Sequence, residues 1–439
     1  SLTPLDIVKY TTAFADVIIT GDNKKVVVGR DARLSGQMVN QLVCGTLMSK
    51  GIDVIDLDLS TTPTVEMVVV KEKAAGGIIL TASHNPKQWN ALKLLNAEGE
   101  FISAEQGAAI IDKVKSSNFE YNEIDSIGSY ELMEGTIDWH IDEIIKLSMV
   151  DVEAISKRNF TIAVDAVNST GGIAVPALLR KLGVQNVIEI YCEPTGKFPH
   201  NPEPLPEHLN DLSDTVLKNN ADLGITVDPD VDRLAFVSEN GDMFGEEYTL
   251  VAVADYVLSQ KKGNTVSNLS STRALKVITE KHGASYAASA VGEVNVVKMM
   301  KETDAIIGGE GNGGIILPEL HYGRDALVGI ALFLSHLAKC GKPMSHLKAS
   351  YPTFIISKNK IELTPEIDVD SILTQLQEKY KKQPINTIDG VKIEFDEEWV
   401  HLRKSNTEPI IRIYAEGSTM RVADSLANKI KSDIKEMIS

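Results

Sequence analysis

Gly77-Ile78-Ile79-Leu80-Thr81-Ala82-Ser83-His84-Asn85-Pro86 runs from a short apolar stretch into a polar loop closed by proline. A buried strand ending at a loop is the reading, because a brief apolar run bounded by turn formers suits a strand covered on both faces. Working upstream, the β-branched run Val26-Val27-Val28 leads to Gly29-Arg30-Asp31, residues 37–50 have helical spacing, 52–59 alternate as a strand and 64–73 read as a helix. The same order returns after Thr161-Ile162-Ala163-Val164: a helix over 173–182, a strand over 187–191 and a helix over 209–219. That copy closes with Leu223-Gly224-Ile225-Thr226-Val227, which stops at Asp228-Pro229-Asp230-Val231-Asp232-Arg233. A third copy opens at Thr265-Val266, has helices over 273–282 and 294–302, and carries Ala305-Ile306-Ile307 into Gly308-Gly309-Glu310-Gly311-Asn312-Gly313-Gly314.

Strands that alternate with helices in three copies predict three similar three-layer α/β domains with mixed sheets, over 1–149, 150–247 and 248–351. Beyond residue 351 the order changes to a strand over 353–362, a helix over 371–380, a strand over 391–395 and a final helix over 420–437, a C-terminal α+β domain spanning 352–439. At 439 residues the chain exceeds one hydrophobic core, which agrees with several domains. Ligands in open α/β sheets collect beyond the strand ends, so the loops that end the three copies are expected around a central cleft.

Hydrophobic content of 43% with 24% charged residues is that of a globular protein, and no apolar run approaches the roughly 20 residues that span a bilayer. The first residues, Ser1 to Asp6, lack the basic start and apolar stretch of a secretion signal, so a cytoplasmic protein is expected, with no membrane partner. A formal net charge of -17 argues against nucleic acid, and any anionic ligand must be small and locally held. Cys44, Cys192 and Cys340 form no C-x-x-C pair and read as plain thiols.

Asp228, Asp230 and Asp232 alternate through a tight turn and would repel one another unless something positive sat between them. Three carboxylates without sulfur or imidazole suit a hard ion, magnesium or calcium. Glu239 stands where a calcium-binding EF-hand loop would place its last ligand, but Arg233 takes the position that wants glycine and the flanks read as strands; a solvated acidic turn is the remaining alternative. Ser83 alone would pass as a turn residue. With an acidic triad at the equivalent strand end of the next copy and Lys93 close downstream, it becomes a candidate phosphoryl carrier. The Gly308 to Gly314 segment lacks the lysine and hydroxyl of a nucleotide-binding loop, whereas Glu310 and Asn312 suit sugar hydroxyls, a plain glycine-rich turn being the other reading. Arg403, Ser405, Asn406 and Thr407, with Arg412, form a candidate phosphate clamp or else an exposed polar turn.

Taken in order, T-A-S-H-N-P, D-P-D-x-D-R, G-E-x-x-G and R-x-S-N-T-E-P resemble the signature loops of the α-D-phosphohexomutase superfamily over nearly the whole chain, and Gly29 to Ser35 is similar to a further family segment. The resemblance implies four domains around one cleft, a phosphoserine at Ser83, and Mg2+ held by Asp228, Asp230, Asp232 and an oxygen on Ser83. It implies a hexose 1,6-bisphosphate intermediate and activator and a small-molecule sugar phosphate as partner, in a monomer or homodimer. Carried over by motif, His84 and Asn85 steady the phosphoserine, Lys93 and Arg30 assist proton transfer and charge, Arg233 contacts the reacting phosphate, and Glu310 and Asn312 grip the sugar. Many relatives have serine and histidine where this chain has Asn312 and Gly314, and the family's G-T-S-G-x-R-G segment is not found, the chain beginning near where it would end. The sugar loop looks most like an archaeal-type branch described as phosphoglucosamine mutases, some with phosphomannomutase or phosphoglucomutase activity. A magnesium-dependent sugar phosphatase and a non-catalytic sugar-phosphate sensor are the competing readings.

Overall fold

A computed structural model of the chain describes residues 2–362, 368–404 and 410–438. The first sheet comprises β1 (Lys25–Arg30), β2 (Asp53–Leu59), β3 (Gly76–Leu80), β4 (Leu92–Leu95) and β5 (Tyr130–Leu132), in the order β4-β3-β1-β2-β5. The second has β6 (Thr161–Asp165), β7 (Asn186–Ile190), β8 (Leu223–Val227) and β9 (Leu234–Ser238), ordered β7-β6-β8-β9. The third has β10 (Asn264–Asn268), β11 (Tyr286–Ser289), β12 (Ala305–Glu310) and β13 (Gly314–Ile316), ordered β11-β10-β12-β13. The repeat thus extends to topology. In each copy the first strand lies between the second and third in parallel, and the third turns back into an antiparallel fourth. That hairpin returns the chain at the end of a wholly or nearly buried central strand, and its turn is where the Ser83 loop, the aspartate triad and the Glu310 loop sit.

The fourth sheet is antiparallel: β14 (Ile355–Glu362), β15 (Ile385–Asn386), β16 (Val391–Glu394), β17 (Trp399–Lys404) and β18 (Ile410–Gly417), ordered β14-β18-β17-β16-β15. The helices Val369–Lys379 and Met420–Ile438 bury Ile372, Leu376, Ile430 and Ile434 in its core. Lys392 of this domain donates to the Leu269 carbonyl at 2.9 Å and ties it to the third domain.

The second and third domains share one large core, and each keeps a smaller apolar cluster of its own. Helix Ala326–Cys340 is apolar around most of its circumference and lies inside that core, with Phe333 stacked on Phe236 of β9 at 4.0 Å between ring centres and edge-on to Phe244 at 5.4 Å. Its N-terminus is capped by Asp325, whose carboxylate accepts from the N–H groups of Leu327 and Val328. Among the described residues, no helix is long and apolar enough to cross a membrane.

Candidate active site

Ser83 lies at the first turn after β3 with φ of 50°, a left-handed conformation that costs a residue with a β-carbon and needs outside support. Arg33 supplies it. All five of its N–H groups are engaged: Nε with Asp31 Oδ2 at 2.9 Å, one terminal nitrogen with the carbonyls of Pro86 (2.8 Å) and Trp89 (3.0 Å), the other with those of Ser83 and Asn85. The Ser83 N–H donates to Thr81 Oγ1 at 2.9 Å, and that hydroxyl donates to Asp31 Oδ2 at 2.6 Å. Asn85 closes the loop by donating from Nδ2 to the Ala82 carbonyl at 2.9 Å.

The second loop meets the first directly: Ser83 Oγ donates to Asp228 Oδ2 at 3.0 Å. Asp228, Asp230 and Asp232 are fully buried, and one carboxylate oxygen from each lies within 4.8 Å of the others. Asp228 Oδ1 accepts the N–H groups of Asp232 (3.1 Å) and Arg233 (3.0 Å), which shapes the turn around Val231, itself left-handed at φ of 66°. Lys93, brought in by β4, donates to Asp230 Oδ2 at 2.6 Å and to Asp232 Oδ2 at 2.9 Å. Asp230 Oδ1 and Asp232 Oδ1 are buried without a hydrogen-bond partner among the described residues. Such orphaned oxygens are costly unless a cation takes them, so the donor set fits a hard divalent ion held by oxygen.

The charges here are strongly coupled. Burial, then repulsion from Asp232 and Asp230, pushes the Asp228 carboxyl well above the usual carboxylate range. Burial works the same way on Asp232, but Arg324, Lys93 and Arg233 outweigh it and its pKa falls. Burial opposes the Lys93 charge, yet Asp230 and Asp232 raise its pKa, so Lys93 stands in the site as a cation. His84 places Nδ1 3.4 Å from Ser83 Oγ, and burial and the nearby Arg233 push its pKa down to about 3, leaving a neutral imidazole. Arg233 donates to Glu203 Oε1 at 3.3 Å, an oxygen that also lies 3.9 Å from His84 Nε2.

Arg30 and Glu310 are both tied down by other residues. Arg30 turns away into an ion pair with Asp58 at 2.7 Å, and the arginine that reaches the Ser83 loop is Arg33, three residues further on. Glu310 ends β12 in a buried, tied position. Its Oε1 accepts from Asn268 (2.7 Å) and the Gly292 N–H (3.1 Å), and its Oε2 from Arg324 (3.1 Å) and, more weakly, Asn312 Nδ2 (3.4 Å). Asn312 faces inward and accepts the Gly314 N–H at 3.1 Å. The glycine at 314 has a steric cause, since a β-carbon there would lie 2.3 Å from Arg324 Cδ. Arg403 and Arg412 face each other across β17 and β18, while Ser405, Asn406 and Thr407 lie outside the described residues.

Sequence reasoning missed Arg33, Thr62, Glu203, Glu293 and Arg324. The Arg-Asp-Ala-Arg spacing of residues 30–33 was a signal for the first; the others act across 14 to 168 residues of chain and left none.

Comparison with known proteins identifies the family of the chain. Residues 1–121, 138–241 and 245–354 match the alpha/beta/alpha domains I, II and III of phosphoglucomutase/phosphomannomutase, and residues 362–432 match its C-terminal domain. A Thermococcus kodakarensis protein named phosphoglucomutase/phosphomannomutase is 36% identical over 427 residues, covering 95% of this chain and 92% of its own length. A phosphoglucosamine/phosphogalactosamine mutase of Sulfurisphaera tokodaii is 32% identical over 441 residues, covering 99% and 96%. Among solved structures, a phosphoglucomutase/phosphomannomutase family protein from Burkholderia thailandensis superposes with a TM-score of 0.86 at 25% identity, covering 99% of this chain and 94% of its own. With all four domains matched in order and relatives aligned end to end, the chain belongs to the phosphoglucomutase/phosphomannomutase family of phosphohexomutases.

Proposed function

We propose that the protein interconverts hexose 6-phosphate and hexose 1-phosphate through a phosphoserine at Ser83 and a 1,6-bisphosphate intermediate, with glucosamine phosphate as the preferred substrate. The observation that carries the reading is the 3.0 Å contact of Ser83 Oγ with Asp228, inside a buried three-aspartate cluster that has oxygens to spare. Asp228, Asp230, Asp232 and a phosphoserine oxygen would hold Mg2+. When bound there, the ion supplies positive charge against the oxygens of the transferring phosphoryl group.

The chain's own residues do the rest. Ser83 Oγ carries the phosphoryl group on a loop that Arg33 holds rigid, so little reorganisation is needed at transfer. As the bond from phosphorus to Ser83 Oγ breaks and the bond to the free sugar hydroxyl forms, the hydroxyl proton leaves to a base of the site. The bisphosphate then turns and returns its other phosphoryl group to Ser83 Oγ. Lys93 contributes charge at the triad, and His84, uncharged, sits beside the carrier oxygen with Asn85 bracing the loop. Arg233 exchanges Glu203 for the reacting phosphate. The four hydrogen bonds that Glu310 accepts fill its capacity, so a sugar hydroxyl enters by replacing the longest of them, that of Asn312. Arg403 and Arg412, with Ser405, Asn406 and Thr407, take the phosphate that is not reacting.

The Sulfurisphaera relative's name supports an amino-sugar substrate; the Thermococcus relative's name favours glucose or mannose phosphate as the second reading. Incubation with a hexose 1,6-bisphosphate is expected to add one phosphate to the Ser83 peptide, read by mass. Full turnover by Ser83→Ala would sink the mechanism. Turnover of glucosamine, glucose and mannose 6-phosphates side by side decides the substrate.

A further inference from the structure

Arg324 is a buried guanidinium held by three carboxylates from three separate segments. Nε donates to Glu293 Oε2 at 2.7 Å, one terminal nitrogen to Glu310 Oε2 at 3.1 Å and the other to Asp232 Oδ2 at 2.8 Å. Glu293 opens the helix Glu293–Glu302, Glu310 ends β12 beside the sugar loop, and Asp232 belongs to the metal-binding turn of the second domain. A guanidinium is a rigid planar fork, so acceptors on its edges are fixed relative to one another as well as to it. The two loops also touch through their backbones, the Leu234 N–H donating to the Gly313 carbonyl at 3.1 Å.

The consequence at Asp232 is directional. Arg324 and Lys93 both occupy Oδ2, so rotating the carboxylate would break two charge-assisted hydrogen bonds, and Oδ1 is left as the buried, unpartnered oxygen. At Glu310, Arg324 fixes Oε2 in the same way and leaves Asn312 as its replaceable partner. Gly314 makes the arrangement possible, because any side chain there would collide with Arg324 Cδ and Cγ at 2.3 and 3.0 Å.

We propose that Arg324 is a positioning residue that couples the sugar grip at Glu310 to the cation site at Asp232, so that sugar phosphate and Mg2+ each tighten the binding of the other. The coupling rests on the phosphohexomutase reading of the site, and it is reciprocal by linkage: whatever factor one ligand confers on the other is returned.

The test is a calorimetric titration of Mg2+ into the whole protein, with and without glucose 6-phosphate, an equilibrium measurement that needs neither turnover nor a labelled serine. Wild type is expected to bind Mg2+ more tightly when the sugar phosphate is present. Arg324→Lys keeps one charge but cannot bridge three carboxylates. It should weaken Mg2+ by about 10 to 100-fold, the usual loss when an outer-shell partner of a metal ligand is removed, erase the effect of glucose 6-phosphate, and raise KM with it. Gly314→Ala, which displaces Arg324 without removing its charge, should reproduce the loss, and should add nothing further in an Arg324→Ala background. Wild-type Mg2+ affinity in both Arg324→Lys and Gly314→Ala would overturn the proposal, as would a sugar effect that persists in them. Failure of Ser83 to take up phosphate would instead strike the mutase reading and leave the Mg2+ titration standing.

Discussion

Thr62 and Asp230 are joined twice across the junction of the first and second domains: the Thr62 N–H donates to the Asp230 carbonyl at 2.8 Å, and the Thr62 hydroxyl to Asp230 Oδ2 at 2.5 Å. The pair sets the metal turn against the start of helix Thr62–Lys71, whose cap is the neighbouring Thr61. Thr62→Val keeps the backbone bond and the shape but removes the hydroxyl. Mg2+ affinity is expected to drop by about tenfold, while stability falls by only about 1 kcal/mol. Calorimetric titration and denaturant unfolding of the same variant separate the two effects.

Arg33 spends every donor it has on the Ser83 loop and on Asp31. Arg33→Met leaves Asp31 buried without its cation and four carbonyls unmatched, a loss of about 3–5 kcal/mol. Turnover should collapse as well, because Ser83 no longer has support for its left-handed backbone. A variant that unfolds at the wild-type denaturant midpoint would show that the loop holds itself.

Phe333 stacks on Phe236 inside the core that the second and third domains share. Phe333→Ala should cost about 3–5 kcal/mol, and scanning calorimetry should show the β6–β9 and β10–β13 domains shifting together. Movement of one transition alone would mean that the shared core does not couple them.

Asp255, on helix Glu246–Gln260, accepts from His282 Nε2 at 2.7 Å and the Tyr351 hydroxyl at 3.0 Å, with His336 Nε2 3.5 Å away. Burial alone would raise its pKa, but hydrogen bonds from His336, His282 and Tyr351 lower it from 3.8 to about 2. A depressed folded pKa stabilises above the unfolded value and is lost as pH falls, so this contribution, at most about 2 kcal/mol, should fade between pH 4 and 2. Denaturant unfolding across that range should show a shallower slope in Asp255→Asn than in wild type.

The sequence was most legible where residue type and spacing leave few alternatives. Three aspartates at alternate positions, and a serine in a polar turn after an apolar run, carry their chemistry locally, and the same is true of the central strands β3 and β8, which are apolar on both faces. Helix Ala326–Cys340 escaped because it is buried almost all round and shows no polar stripe to set a period. Strands β4 and β13 are only four and three residues long, too short to stand out from the loops they close. Arg33 and Arg324 find their partners up to 56 and 92 residues away, and nothing in a linear string says which arginine will meet which acid. Arg30 comes to the site by motif alone, and a motif does not carry side-chain direction: Arg30 pairs with Asp58 while Arg33 pairs with Asp31.

Lys93 has a use that precedes catalysis. An ammonium lodged between Asp230 and Asp232 offsets two acids that would otherwise repel during chain collapse. Folding therefore need not wait on the supply of divalent ion, and a chelator should silence the protein reversibly and lower its melting temperature without unfolding it, in contrast to small zinc domains that fall apart when stripped.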